Sequence, residues 1–318
     1  MPFTLLSLLA TLVTSPTTRK TLLALLTIYF LRLLSRTLSS QIRNSWSRQR
    51  PWDNSRELVL ITGGCSGIGK QIMLDLAARG VTVIIIDVKE PDFELPQTVT
   101  FHSTDVTSPS SLHSLHTHIL STHQRPPTVL INNAGIGLPN SILATPPSTI
   151  QQTFAVNTIS HFWTAREFLP PMLKANHGHI VTVASMASFI GLGGMAPYSC
   201  SKASAMAFHE ALGQELKLWY RADKVRTSIV FPYWVRTGMV GGLTGRGGRD
   251  VGGMPVMDVE VVSGAVVKLV LGQRSGQVIL PEGYGWLGLL RGLPEWMQER
   301  VRGRVSRMLR EVEVRKGA

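Results

Sequence analysis

The sequence predicts a doubly wound α/β domain with a parallel sheet, and three observations carry that prediction. Short β-branched runs recur along the chain, at Leu58–Ile61, Val81–Ile86, Val99–Phe101, Thr128–Ile131, His179–Ala184 and Thr227–Phe231. Segments with helical spacing of apolar residues separate them, as crossover connections between parallel strands require. The first run ends in a glycine-rich loop that opens a helix, the context in which a backbone approaches a phosphate at a helix N-terminus.

The 318 residues, 44% of them hydrophobic, suffice for one large domain with appendages. The formal charge of +12 is concentrated in residues 32–50 and 291–316. Basic clusters at both ends suit an anionic surface. No zinc-finger, RNA-recognition or helix-turn-helix pattern accompanies them, so the expected partner is a membrane and not nucleic acid. Two cysteines, Cys65 and Cys200, argue for a reducing compartment without a disulfide framework. The chain divides into a hydrophobic anchor with a basic collar (1–50), the nucleotide-binding domain (51–285) and a basic amphipathic tail (286–318).

In the anchor, residues 3–13 and 21–31 are apolar and are separated by Ser15-Pro16-Thr17-Thr18-Arg19-Lys20. Each would be about 17 Å long as a helix, against about 30 Å of hydrocarbon, which favours a shallow hairpin or a short tilted anchor. Arg32, Arg36, Arg43, Arg48 and Arg50 follow and put the remaining chain on the cytosolic side. The start lacks the basic n-region and cleavage site of a signal peptide.

The glycine loop reads Thr62-Gly63-Gly64-Cys65-Ser66-Gly67-Ile68-Gly69-Lys70. Its spacing is looser than Gly-x-Gly-x-x-Gly, and Thr62, Gly63, Ser66, Gly67, Ile68 and Gly69 are the candidates to hold a dinucleotide. The second run ends in Asp87, where an acid accepts adenosine ribose hydroxyls and repels a 2'-phosphate. With Ser66 offering no cation, the pattern favours NAD, while Lys89 keeps NADP open. Asp105-Val106 follows the third run, where the acid could meet the adenine edge. The fourth run ends in Asn132-Asn133-Ala134-Gly135, small enough for a nicotinamide to lie against the backbone. His113, His116, His118 and His123 cluster in a polar helix; only the first two share a face, no acid or cysteine joins them, and no metal site is expected.

Ser185 falls where the fifth run gives way to a loop, and Pro197 suits the first turn of a helix. Tyr198 and Lys202 then share a face of that helix. A free phenol titrates at about 10, so proton exchange with an alcohol at neutral pH needs a drop of roughly 3 units. An ammonium one turn away can supply much of it, with Ser185 holding the substrate oxygen. That is acid–base chemistry without a metal. A lone Tyr-x-x-x-Lys pair would read as a solvated helix face; the ordered company of the other motifs gives it weight.

Beyond it, Met239–Met254 is rich in glycine and reads as a mobile lid without regular structure. Val256–Leu271 reads as a helix and Gln277–Pro281 as the last strand. From Pro294 a final helix places Met297, Val301, Val305 and Leu309 (or Met308) on one side, with Arg300, Arg302, Arg304, Arg307 and Arg310 around the flanks. It suits a membrane surface, a packed surface helix or a dimer contact.

Taken in order, the Thr-Gly-x3-Gly-x-Gly loop, Asp105, Asn132-Asn133-Ala134-Gly135, Asn157, Ser185, Tyr198 and Lys202 resemble the short-chain dehydrogenase/reductase superfamily over roughly residues 56–285. Phe154–Trp163, Phe168–Met172 and Asn176–Ser185 resemble a narrower branch. It holds the type 11 and 13 17-beta-hydroxysteroid dehydrogenases and the epidermal retinol dehydrogenases, anchored enzymes of the endoplasmic reticulum or lipid droplet.

The resemblance implies a Rossmann-type sheet and NAD or NADP as cofactor. It implies that Tyr198 gives or takes the proton, Lys202 binds the nicotinamide ribose, Ser185 orients the substrate and Asn157 holds a water in a helix kink. Pro232, Val235 and Thr237 would meet the coenzyme, although Tyr233 stands where the superfamily usually has glycine, which bears on the substrate side. The implied substrate is a lipophilic alcohol or carbonyl, such as a retinoid, steroid or long-chain alcohol, with homodimers common in the superfamily. The alternative is a catalytically weak binding or scaffold protein at a lipid-droplet or reticulum surface that keeps the fold.

Overall fold

The structure, a computed structural model, describes residues 16–317 except 49, 242, 245–249 and 252. Residues 1–47 and 48–318 form two compact units.

In the first unit, α1 (Pro16–Arg43) is a single helix of 28 residues with no buried side chain. At about 1.5 Å per residue it is roughly 42 Å long, so by length and composition it can cross a bilayer. The short element expected at 21–31 is therefore the middle of a longer one. The helix continues because Leu33, Leu34 and Leu38 keep it apolar and the intervening arginines are good helix formers. Thr21, Thr27 and Thr37 donate their hydroxyls to carbonyls four residues back. The apolar segment 3–13 lies outside the described residues.

The second unit is built on a seven-stranded sheet, parallel throughout, in the spatial order β3 (Val99–Ser103), β2 (Val83–Asp87), β1 (Val59–Thr62), β4 (Val129–Asn132), β5 (Gly178–Val183), β6 (Val225–Pro232), β9 (Gln277–Leu280). In chain order it comprises β1 (Val59–Thr62), α2 (Gly67–Ala77), β2 (Val83–Asp87), β3 (Val99–Ser103), α3 (Pro109–His123) and β4 (Val129–Asn132). There follow α4 (Pro147–Phe154), a π turn (Ala155–Ile159), α5 (Ser160–Ala175), β5 (Gly178–Val183), α6 (Ala196–Leu218) and β6 (Val225–Pro232). The chain ends with α7 (Gly238–Gly241), β7 (Asp250–Val251), β8 (Met254–Pro255), α8 (Val259–Gly272), β9 (Gln277–Leu280), a 3-10 run (Glu282–Gly292) and α9 (Glu295–Gly317).

Alternate strand residues feed two cores. Val59, Ile61, Val83 and Ile85 pack with Ile72, Leu76, Val266 and Val270 of α2 and α8. Leu58, Leu60, Ile84 and Ile86 pack with Leu112 of α3, Phe168 of α5 and Phe208 of α6. Both faces are covered, which is why the strands read as unbroken apolar runs. Each such buried side chain contributes roughly 1.5–3 kcal/mol. Strand order reverses between β1 and β4, so a crevice opens at the carboxyl edge there.

In the last third one expectation changes and another narrows to one of its alternatives. The glycine-rich segment is not devoid of regular structure: α7 and the antiparallel pair β7–β8 form within it. Val240, Leu243 and Val251 drive this, being buried together with Val256; Gly242, Gly245, Arg246, Gly247, Gly248, Arg249 and Gly252 lie outside the described residues. The final helix packs on the domain. Met308 and Leu309 join Leu192 and Met195 in that same cluster, and Gly193 N donates to Ser306 Oγ at 2.9 Å.

The amino edge of the sheet carries a polar cluster of its own. Buried Glu57, just before β1, lies 2.9 Å from His177 Nε2 and 3.1 Å from Gln273 Nε2, and accepts from the Thr128 hydroxyl. One carboxylate thus joins the segments entering β1, β4, β5 and β9.

Candidate active site

At the opposite edge, Gly63 and Gly67 adopt φ of 67° and 51°, the left-handed region open to glycine. A Cβ on Gly63 would sit 2.8 Å from Ala134 Cα, and one on Gly69 would overlap the Gly63 carbonyl oxygen. The loop therefore lies directly against the segment after β4. Thr62 Oγ1 accepts from Asn133 N and Ala134 N at 3.0 and 2.9 Å, while Asn133 Nδ2 donates to the carbonyls of Thr62 and Gly63. Ser66 is the N-cap of α2, its hydroxyl making no capping bond, and Ile68 opens the helix behind it. A bare cradle of glycines before a helix N-terminus fits a dinucleotide's pyrophosphate.

Asp87 ends β2 beside this cradle. Its carboxylate accepts from Cys65 N and Lys89 N, each at 3.2 Å. Burial, with the charge of Asp87, pushes the Cys65 thiol up to about 11, so it is no nucleophile. Asp105 accepts both Thr107 N and the Thr107 hydroxyl at 2.8 Å, which ties one of its oxygens to its own turn, with Val106 buried beside it.

Pro197 starts α6 as expected, and Ser185 caps the 3-10 turn Met186–Ser188 by accepting from Ala187 N at 3.1 Å. The Ser185 hydroxyl lies close enough to the Tyr198 phenol to act on its ionisation, and the Tyr198 ring lies flush on Gly137, where a Cβ would come within 2.6 Å. Lys202 is buried. Its Nζ donates to Val183 O at 2.9 Å, lies 5.8 Å from the Tyr198 ring centroid, and would be 3.4 Å from a Cβ on Gly135.

Asn157 sits in the π turn, fully buried. Its Oδ1 accepts from Ile136 N at 2.8 Å, and its Nδ2 donates to Ile136 O and Ser201 Oγ at 2.8 and 3.0 Å. The amide thus clamps the 135–137 segment to α6 beside Lys202.

The electrostatics depart from the expected depression of the tyrosine. Burial raises the Tyr198 phenol, and the Ser185 hydrogen bond only partly opposes it. Burial also lowers the Lys202 ammonium to about 8. The cation is itself disfavoured and is directed at a backbone carbonyl, so it does not overcome the desolvation of the phenol. Burial and then the Lys202 charge bring His161 down to about 3, leaving a neutral imidazole behind the pair.

After Pro232 at the end of β6, Val235 is buried and bridges to Met257, and the Thr237 methyl lies 3.1 Å from where a Gly67 Cβ would stand. This segment thereby returns to the glycine loop. Tyr233, in the position of the usual glycine, stacks on Tyr284 at 5.3 Å. Trp234 instead joins Ile190, Leu192, Met195 and Tyr198 in an apolar cluster closed by Met308 and Leu309. Gly137, Ser201 and these two tail residues are neighbours of the site that no motif in the sequence marks. The glycine two residues after Gly135 was the available signal for the first.

The histidine cluster also needs correcting, because an acid does join it. Glu167 Oε1, from α5, lies 3.2 and 2.8 Å from the Nδ1 atoms of His113 and His116. Among the described residues no group of three such side chains has the geometry to hold a metal.

A glycine cradle, an acid at the next strand tip and a Tyr–Lys–Ser group along one sheet edge define a dinucleotide-dependent oxidoreductase. The chain belongs to the short chain dehydrogenase family, whose family model matches residues 57–246. Dehydrogenase RED2 from Cochliobolus heterostrophus is 40% identical over 203 residues, covering 63% of this chain and 76% of that protein. Human (Homo sapiens) 17-beta-hydroxysteroid dehydrogenase 13 is 29% identical over 268 residues, covering 82% and 85%. A solved structure of 4-hydroxyisoleucine dehydrogenase complexed with NADH has the same fold, with a TM-score of 0.61 at 19% identity over 72% of this chain and 100% of that one.

Proposed function

We propose that the protein is an NAD-dependent dehydrogenase that oxidises a hydroxyl group on a lipophilic molecule such as a retinoid, steroid or long-chain alcohol. The observation that carries this is the contact of Ser185, Tyr198 and Lys202 at the carboxyl end of β5, against the Gly135–Gly137 backbone. NAD, when bound, supplies the hydride acceptor and a positive charge. Tyr198 takes the hydroxyl proton, Ser185 orients the oxygen and Lys202 holds the nicotinamide ribose. Asn157 keeps the 135–137 segment in register with α6. The glycine loop from Thr62 to Gly69, with Asn133, Ala134, Pro232, Val235 and Thr237, holds the rest of the coenzyme; Asp87 receives the adenosine ribose, and Asp105 with Val106 borders the adenine.

The lipophilic substrate is supported by the apolar cluster at Tyr198, by the similarity to a 17-beta-hydroxysteroid dehydrogenase and by α1. With α1 in the membrane of the endoplasmic reticulum or a lipid-droplet surface, Arg32, Arg36 and Arg43 favour a cytosolic catalytic domain. The competing reading is a scaffold that keeps the fold with little catalysis. An absorbance assay of NADH formation with retinoid, steroid and fatty alcohols separates the two. Tyr198→Phe is expected to lower turnover about 10³-fold with coenzyme binding retained; full turnover in that variant would remove the mechanism.

A further inference from the structure

The 189–194 loop, packed beside Tyr198 through Ile190 and Leu192, is the hub of a rim of three segments. Asn140 N donates to Gly194 O at 2.7 Å, Gly193 N to Ser306 Oγ at 2.9 Å, and Arg291 Nε to Phe189 O at 3.3 Å. Each segment tied to the hub turns large apolar side chains outward. Leu143 is 99% exposed, Leu289 71% and Trp296 62%, with Leu138, Ile142 and Trp286 also exposed. These are not residues that failed to reach the core. In the 3-10 run Tyr284, Leu287 and Leu290 point inward while Trp286 and Leu289 point out.

The last helix repeats this sorting with charge added. At about 100° per residue, Trp296, Arg300, Arg304, Arg307 and Arg310 fall on one stripe of α9, with the acid Glu311 among them, and Met297, Val301, Val305 and Met308 on the adjoining one. The four arginines are exposed, Met308 is buried, and Arg300 lies 5.6 Å over the Trp296 ring. Among the described residues no salt bridge engages those four arginines. Exposed indoles beside cations suit the boundary between headgroups and acyl chains, and unpaired positive charge complements anionic lipid.

We propose that this rim is a second lipid-contact surface, which docks the catalytic unit on an anionic membrane or droplet surface. That the docked cleft then receives its substrate from the lipid rests on the function proposed above; the contact itself does not. The test uses the full chain on vesicles with brominated acyl chains, made of phosphatidylcholine with or without phosphatidylserine, and reads tryptophan quenching. Wild-type protein should be quenched more than W286F/W296F. The variant R300E/R304E/R307E/R310E should lose that excess on serine-containing vesicles, with about fivefold weaker docking for each arginine charge removed. Leu143→Asp, on a loop outside α9, should lower it independently.

Equal quenching of wild-type protein and W286F/W296F would overturn the proposal. So would concentration-dependent shielding of these tryptophans in lipid-free protein, which would mark a contact between copies. Relief of quenching by an oligonucleotide at matched charge would assign the surface to nucleic acid instead. Because the readout needs no turnover, a chain that fails the dehydrogenase assay can still pass this one.

Discussion

Two buried ionisable groups sit at opposite edges of one sheet, and their environments differ in the number of partners. At the amino edge burial raises the Glu57 carboxyl, but hydrogen bonds from His177, Thr128 and Gln273 outweigh it and the pKa falls below the usual value. At the carboxyl edge Lys202 has one backbone carbonyl to receive its proton, and burial wins, lowering the ammonium to about 8. Similar burial therefore gives a saturated charge at one edge and a disfavoured charge beside a raised phenol at the other. The first suits an anchor for four incoming segments; the second suits a proton-transfer site that a ligand completes.

If that division is right, the two edges should fail differently. Tyr198→Phe, the largest effect, should lower turnover about 10³-fold and leave the denaturation midpoint within a few degrees of wild type. Glu57→Gln should cost about 3 kcal/mol of stability, since it breaks a buried hydrogen-bonded cluster, while NADH formation at room temperature persists. Urea unfolding checks this, and unchanged stability would dissolve the contrast. The pH dependence adds a sign. A carboxyl with a depressed folded value stabilises above its unfolded pKa and loses that contribution as pH falls through the folded one, so the Glu57→Gln deficit should shrink below about pH 4.

The edge that carries the candidate site was far easier to read in the sequence than the opposite one. Thr62–Gly69, Asp87, Asn133 and Tyr198–Lys202 are local patterns attached to recognisable strands, so order and spacing expose them. Glu57, Thr128, His177 and Gln273 are single polar residues separated by up to 216 positions, and only the sheet brings them together. The same holds for Glu167 with His113 and His116, on different helices. Asn157 was legible as a position through resemblance, but its clamp on Ile136 and Ser201 depends on a π turn that residue spacing does not encode. The sign of the tyrosine shift is not legible for a physical reason: proximity of a cation is visible in a sequence, whereas desolvation of both groups is not.

A smaller effect concerns the protonation of Lys202. Its ammonium is intact below about pH 8 and loses its proton above it. Coenzyme affinity should therefore weaken as pH rises through that value, and Lys202→Arg, whose guanidinium keeps its charge, should flatten the profile. Titration of NAD binding by fluorescence across this range is the measurement. An inflection that survives in the arginine variant would belong to another group.

The smallest effect tests whether open hydrogen-bonding capacity is what distinguishes the functional edge. Asp87 holds two backbone amides at 3.2 Å, whereas a carboxylate has about four acceptor positions. Capacity is therefore left over at Asp87, in contrast to Glu57, whose oxygens are taken by three side chains. Asp87→Ala should therefore lower the preference for NAD over NADP by about tenfold, roughly 1.4 kcal/mol, because it removes both a ribose acceptor and the charge that repels a 2'-phosphate. The ratio of kcat/KM for the two coenzymes reads this directly. If the ratio does not move, the acid is a structural stop for β2, and discrimination must come from Ser66 or Lys89.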